Sequence, residues 1–399
     1  MSEKDLISKI YSNPTQDFLD NPYETFEKLR NISSLVKIDD QHWLTTTHHY
    51  AKSVLLTPMF GRRDMYKVPP AEEELSPVEV MRKNWMLYND PPNHTKLKKF
   101  SLKVLESYLD NELINKVQDI SDYLINSITH KEKFDLVDEY AYPLPLLVIA
   151  ELLGVPKEDR NLFKHWSCEV NKTLEPCCSI EQKRNGDKIV LELYAYFESL
   201  INKSNFPDNC ILNKLLYHNI DGESLTHEEI IYTAILILIA GHETTSSMTA
   251  LGILTLTKFP NIYQNLKTTP DKIPLAVEEL LRYEAPVQLA RRVALQDTRL
   301  FDVSFNKNDM ITVCFGAANY DPVVFNSPYD FQINRTNVHM SFGLGPHFCL
   351  GSKLARLEGK IVFKDLITKL PMLKRADELI DWKKSIVLRG LNSLQLIQV

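Results

Sequence analysis

The segment SFGLGPHFCLGSKLARLEGK presents Cys349 in a glycine-rich loop ahead of an amphipathic helix through Leu354, Ala355, Leu357 and Ile361. A cysteine ligates a metal as its thiolate, and a helix N-terminus stabilises that anion with its positive dipole end and backbone N–H groups. Such a thiolate can bind iron. Gly345 and Gly351 lack a Cβ, so the backbone beside the sulfur can approach a flat cofactor closely. By itself the residue also reads as one more buried cysteine, since free cysteines are among the most buried side chains.

A second group, Ala240-Gly241-His242-Glu243-Thr244-Thr245, sets an acid beside an alcohol in the middle of the apolar stretch Ile230 to Leu256. Burying such groups is costly unless they have partners or a use. Threonine can bond back to the carbonyl four residues earlier and loosen the helix, and a neighbouring glycine lets a small ligand pass close to the backbone. A polar kink satisfied by water is the structural alternative. A third group, Glu279-Leu280-Leu281-Arg282, puts an acid and a base on one helix face, a pattern that on a surface is worth only about 0.2 to 0.5 kcal/mol.

These groups need helices to hold them, and helical periodicity dominates from Pro92 to Leu281. Thr226 and Glu229, three apart ahead of IIYTAILILIA, form a capping-box pattern for the start of a long central helix. Pro143 and Pro145 precede the apolar run LLVIAELL, which Gly154 and Pro156 close. Short β-branched or alternating runs fall at 34–46, 290–312 and 386–399. The expected fold is mainly α, of the α+β class, a large helical lobe around the long central helix with small antiparallel sheets. No Gly/Ser linker or repeat divides the chain, so residues 1–399 read as a single domain.

The 399 residues are 44% apolar and 25% charged, a globular composition. A formal net charge of −6 argues against nucleic acid or an anionic membrane surface as the main partner. The six cysteines include no CxxC pair, which speaks against a disulfide framework or a zinc site, and adjacent Cys177 and Cys178 read as reduced thiols in a helical region. The N-terminus MSEKDLISKIYSNPTQDF is polar, without an apolar core of signal-peptide length, so a cytoplasmic protein is expected. A membrane span wants roughly 20 consecutive apolar residues. The polar residues 242–247 interrupt Ile230 to Leu256, which therefore reads as a core helix, with no membrane anchor.

Phe342, Gly345, His347, Cys349 and Gly351 match the haem-loop pattern F-x-x-G-x-[HR]-x-C-x-G of the cytochrome P-450 family, a match with chance odds on the order of 10⁻⁴. From Asn21-Pro22-Tyr23 to the C-terminus the chain resembles the soluble bacterial type of that family. The resemblance implies the P-450 fold, a haem b whose iron is ligated by Cys349, and monooxygenase activity. It sets Phe342 beside the ring and His347 on a propionate. Residues 240–245 fit the family's A-G-x-[DE]-T-T at every defined position, with Ala240 and Gly241 against the cofactor. In that motif Thr244 hydrogen-bonds iron-bound dioxygen and Glu243 helps relay protons. Glu279 and Arg282 become a buried structural pair, with Arg335 as the further arginine. NDPPNHTKLKKF resembles D-P-P-x-H-x-x-x-R and gives His94 to a propionate, with Lys98 where arginine is usual. Lysine neutralises a propionate without the bidentate fork. LARRVALQD supplies Arg292, with Arg291 as the second candidate, for the other propionate, and Tyr320 in AANYDP replaces a usual arginine.

By the same resemblance an apolar substrate meets Leu236, Ile239 and Ala240, then Gln288 and Leu289 after Pro286, and the turn near Leu391. A fatty acyl, terpenoid or polyketide-like compound, free or tethered to an acyl or peptidyl carrier protein, is expected to be hydroxylated. A lid is expected between Arg62 and Leu87, with Met81, Trp85 and Met86 beneath it; a long surface loop is the plain alternative. Electrons are expected from a separate ferredoxin or flavodoxin. Lys96, Lys99 and Lys103 with Arg356, Lys360 and Lys364 offer a basic face for it, or only solvated helix faces. A peroxide-driven peroxygenase needs no proton relay, and a haem-binding accessory or sensor is free to lose one. The retained Glu243-Thr244 pair argues against both.

Overall fold

The computed structural model describes residues 2–11, 14–62, 75–175, 178–204, 206–377 and 379–399. They form two compact units, one of Met1–Phe60, Val117–Leu144 and Thr244–Val399, the other of Gly61–Lys116 and Pro145–Glu243. The division falls inside the central helix, His227–Lys258. That helix starts as its sequence predicts: Thr226 N–H donates to Glu229 Oε2 at 2.8 Å and Glu229 N–H to Thr226 Oγ1 at 3.2 Å. It is long and apolar enough to cross a membrane, and 83% of its most apolar 18-residue window is buried within the protein.

The first unit carries a five-stranded sheet in the order Leu35–Asp39, His42–Thr45, Met310–Cys314, Leu289–Ala294, Phe60–Gly61. His42–Thr45 runs parallel to Met310–Cys314, and Leu289–Ala294 antiparallel to it with Arg292 opposite Ile311. Alternate residues of these strands, with Trp43, Ile311 and Val313 among them, close one core with Phe60, Phe305 and Met340. The β-branched runs at 34–46 and 290–312 thus meet in space. The C-terminal run supplies Leu391–Ser393 and Gln395–Gln398 to two smaller sheets.

Three helical segments of this unit pack closely because glycines admit their neighbours. A Cβ on Gly252 of the central helix would fall 2.3 Å from Phe363 Cζ, on the helix Ser352–Thr368, and 3.2 Å from Leu280 Cδ1, on the helix Ile273–Tyr283. A Cβ on Gly359 would fall 3.1 Å from Met248 Cε and 3.2 Å from Val277 Cγ1.

The second unit is helical. Arg160–Thr173 lies against Ile180–Asn202 through Phe163, Trp166, Tyr196 and Phe197, with Phe163 and Trp166 edge to face at 5.3 Å. The helix over the LLVIAELL run begins earlier than its apolar run, at Pro143, because proline in a first turn forfeits no helical hydrogen bond. It ends where Gly154 adopts φ +82°. Cys178 lies outside a helix, just ahead of the N-cap Ser179, and Cys177 lies outside the described residues. Residues 63–74 of the expected lid also lie outside them. The remainder of that stretch is not a plain loop: Ser76 caps the helix Pro77–Asn84 through a full capping box, and Met81, Trp85 and Met86 are buried.

Candidate active site

Cys349 is partly exposed and stands two residues before Gly351, the N-cap of the helix Ser352–Thr368. Its N–H donates to Phe342 O at 2.9 Å, closing the loop back on itself. Gly345 adopts φ +69°, and a Cβ there would fall 2.7 Å from Leu55 O, so backbone conformation and space both select glycine. A Cβ on Gly351 would meet nothing within 4 Å. The loop enters on a buried brace: Asn319 Nδ2 donates to Ser341 Oγ at 2.8 Å, Ser341 Oγ to Leu281 O at 2.6 Å, and Met340 N–H to Asn319 Oδ1 at 2.8 Å.

Phe342 lies under the Arg356 guanidinium, whose carbon is 4.5 Å from the ring centroid. Arg356 in turn forks onto Glu278 at 2.7 and 2.9 Å, and His339 Nε2 lies 3.3 Å from the same carboxylate. Burial works against ionisation of Glu278, but the bonds from His339 and Arg356 outweigh it and hold its carboxyl at about 2. This cluster escapes sequence reading, because Glu278 belongs to no motif and its partners lie 61 and 78 residues away.

On the central helix every residue from Ile230 to Leu256 is buried except three: Ala240 is exposed and Gly241 and Thr244 are partly so. These three occupy one strip of helix surface, since positions four apart are neighbours on one face. A Cβ on Gly241 would fall 2.9 Å from Ile149 Cδ1, leaving no room for a side chain. Leu236 lies one turn before Ala240 on that face; it and Ile239 are buried. Glu243 is buried, and so is His242, whose Nδ1 is 2.7 Å from Leu238 O and whose Nε2 is 3.9 Å from Glu243 Oε2. Sequence reasoning assigned His242 no role, because the motif leaves its position undefined.

Glu358 is a further buried acid outside the motifs, on the helix that follows Cys349. Burial pushes its carboxyl up to about 8, against a hydrogen bond from Thr245, and its Oε2 has no hydrogen-bond partner among the described residues.

The other expected residues are placed as follows. His94 is buried and Lys98 partly buried, one turn apart on the helix Asn93–Glu106. Arg292 is buried on its strand with Nη1 donating to Arg291 O at 2.8 Å, while Arg291 and His347 are partly exposed. Gln288 is buried and its Nε2 donates to Ala285 O at 2.7 Å; Leu289 is also buried. Leu391 is buried next to Gly390, where a Cβ would fall 2.5 Å from Ser247 Oγ, so this turn lies directly on the central helix.

Glu279 and Arg282 form a buried bidentate pair, Nε to Oε2 and Nη2 to Oε1 both at 2.8 Å, and Arg335 Nε adds a bond to Oε1 at 3.1 Å. Tyr320, where an arginine is usual, is buried, donates from its hydroxyl to Tyr283 O at 2.8 Å and stacks on Tyr23 at 3.9 Å. Arg30 brings a guanidinium to the same turn, bonding Tyr320 O at 3.0 Å and Ala317 O at 2.7 Å.

The expected basic face requires correction. Lys96 is bonded to both oxygens of Glu229 at 2.8 Å, Lys99 is paired with Asp221, and Arg356 with Glu278. Acids distant in sequence neutralise three of its six charges, which a count of lysines and arginines along two segments cannot register.

Residues 129–390 match the family model "Cytochrome P450". The biotin biosynthesis cytochrome P450 of Bacillus subtilis is 33% identical over 382 residues, 93% of this chain and 94% of that protein. The polyketide biosynthesis cytochrome P450 PksS of the same organism is 36% identical over 314 residues, 77% of this chain and 76% of that one. Among solved structures, P450BioI in complex with hexadec-9Z-enoic acid ligated acyl carrier protein superposes with a TM-score of 0.89 at 31% identity, covering 96% of this chain and 99% of that one. The thiol loop, the acid and alcohol side by side within the central helix, and these likenesses over nearly the whole chain lead to one conclusion: the chain belongs to the cytochrome P450 family, has its fold, and is a cytochrome P450 monooxygenase, a family whose cofactor is haem iron.

Proposed function

We propose that the protein hydroxylates an elongated or macrocyclic apolar compound, of fatty acyl, terpenoid or polyketide type, by inserting one oxygen atom from dioxygen. The single observation that carries this reading is the strip formed by Ala240, Gly241 and Thr244, which are not buried although the rest of Ile230–Leu256 is, with the acid Glu243 beside it.

The residues fit haem b. An iron held by Cys349 would need further ligands, which the macrocycle of a haem would supply. The open face at Gly351 and the partly exposed thiol suit a flat ring, and the basic residues His94, Lys98, Arg292 and His347 suit its two propionates. When bound, the haem supplies electron transfer and oxygen activation. Cys349 would hold the iron as its thiolate, whose sulfur would supply electron density. Phe342, Gly345 and Gly351 would contact the cofactor beside the thiolate, and Ala240 and Gly241 are further residues that would contact it. Thr244 offers its hydroxyl to the oxygen, and Glu243 hands on the protons that the reaction consumes. Leu236, Ile239, Ala240, Leu289 and Leu391 supply apolar contacts for the substrate. Gln288, its amide turned to Ala285, shapes the adjoining backbone as well.

One catalytic domain, residues 1–399, works in the cytoplasm on this reading, with electrons from a ferredoxin or flavodoxin. A substrate tethered to an acyl or peptidyl carrier protein is supported by the relative whose structure is described as a complex with a fatty acid ligated carrier. The test is optical titration of the ferric protein with free fatty acids, acyl-carrier-bound chains, terpenoids and macrolide-like compounds. A low-to-high-spin change of the Soret band with one class is expected. No change with any of them refutes the apolar substrate class.

A further inference from the structure

We propose that His242 is a positioning residue for Glu243, the two side chains sharing a transferable proton inside the central helix. The inference rests on the reading of Glu243 as the proton carrier. Consecutive helical residues point about 100° apart, so neighbouring side chains do not meet unless one of them is held. Here the ring is held: Nδ1 lies 2.7 Å from Leu238 O, one turn earlier. A carbonyl oxygen only accepts, so Nδ1 carries a hydrogen in both charge states of the ring.

Nε2 is therefore the atom that gains or loses the proton, and it faces Glu243 Oε2 at 3.9 Å with the two side chains 0% and 7% exposed. In surroundings that nearly exclude solvent, salt screens such a pair little. The gap is one that a small rotation or a bridging water spans. The transfer balances simply: the N–H bond at Nε2 of the imidazolium breaks, an O–H bond forms on Oε2 of the carboxylate, and no electrons are exchanged. The neutral ring keeps its Nδ1–H on Leu238 O, and the reverse transfer resets the pair. Between them the two groups hold up to two transferable protons, so a carboxyl that has passed on one proton is refilled from its neighbour on the chain.

Infrared spectroscopy of the ferric, haem-loaded protein at pH 7 without substrate tests this. The band lost in Glu243→Gln identifies the Glu243 carboxylic C=O stretch. His242→Asn keeps an N–H for Leu238 O and removes the atom that faces the carboxyl; His242→Phe removes both. In each, the Glu243 band is expected to change in intensity or frequency, because the proton is no longer divided between two coupled sites. A band of unchanged intensity and frequency in His242→Asn overturns the proposal. A second measurement needs no substitution at position 242: with ring-labelled histidine, Glu243→Gln is expected to lose one imidazolium contribution, and its persistence overturns the proposal as well. Failure of the underlying reading shows elsewhere, as undiminished turnover of Glu243→Gln.

Discussion

Glu358→Gln is expected to stabilise the protein at neutral pH, and the magnitude follows from burial. The folded-state carboxyl titrates at about 8 instead of 4.5, because the side chain is 1% exposed and its Oε2 has no partner among the described residues. A folded-state value above the unfolded one means that folding takes up a proton between the two. The stability associated with this group is full below about 4.5 and is lost as pH rises toward 8. At pH 7 the interval above 4.5 is about 2.5 pH units, and at about 1.4 kcal/mol per unit the native protein forgoes about 3 kcal/mol. Glutamine is isosteric with the neutral acid and presents an oxygen to Thr245. Its amide meets the same surroundings as the acid's O–H, so the unpartnered position costs about the same in both. Equilibrium urea unfolding of the haem-loaded native and variant proteins, followed by circular dichroism, gives the difference. The variant is expected to exceed the native protein by about 3 kcal/mol at pH 7, by more near pH 8, and by nothing near pH 4.5. A gap independent of pH, or a variant less stable at pH 7, refutes the reasoning.

Glu279→Gln leaves Arg282 and Arg335 short of their shared carboxylate, and such a break in a buried ion network costs about 3 to 5 kcal/mol. The yield of protein with an intact Soret band is expected to collapse; recovery at native levels would show that the network contributes little. Gly345→Ala sets a Cβ 2.7 Å from Leu55 O at a positive φ, a conformation costing about 1 to 2 kcal/mol for a residue with a side chain before the clash is counted. Haem loss to an excess of apomyoglobin should be measurably faster than in the native protein, and an unchanged rate contradicts the strain argument.

The places where sequence reading fell short share a cause. Arg356 sits in a segment rich in basic residues, and along the chain it looks like a solvated charge. In the fold it is the middle of a line from Glu278 to the face of Phe342, so its job is local to the thiol loop. Lys96 and Lys99 likewise meet Glu229 and Asp221, more than 100 residues on. Tyr320 looked like a missing arginine. The fold buries its ring against Tyr23 and draws Arg30 to the same turn from 290 residues away, which no local pattern encodes.

The sequence by itself determined the elements and the chemistry they carry. The start of the central helix was legible from Thr226 and Glu229, since a capping box is a contact between residues three apart. The thiolate loop was legible because glycines, cysteine and a following helix lie within one short segment. Adjacency in the chain likewise made Glu243 and Thr244 a pair. Only the tertiary structure decided how those residues are tuned. It left Ala240, Gly241 and Thr244 as the uncovered strip of a buried helix, and it turned His242 onto Leu238 and toward Glu243. It also sealed Glu358 away from water. Burial and charge pairing depend on distance and dielectric, and both are set by segments that fold together from far apart in the chain.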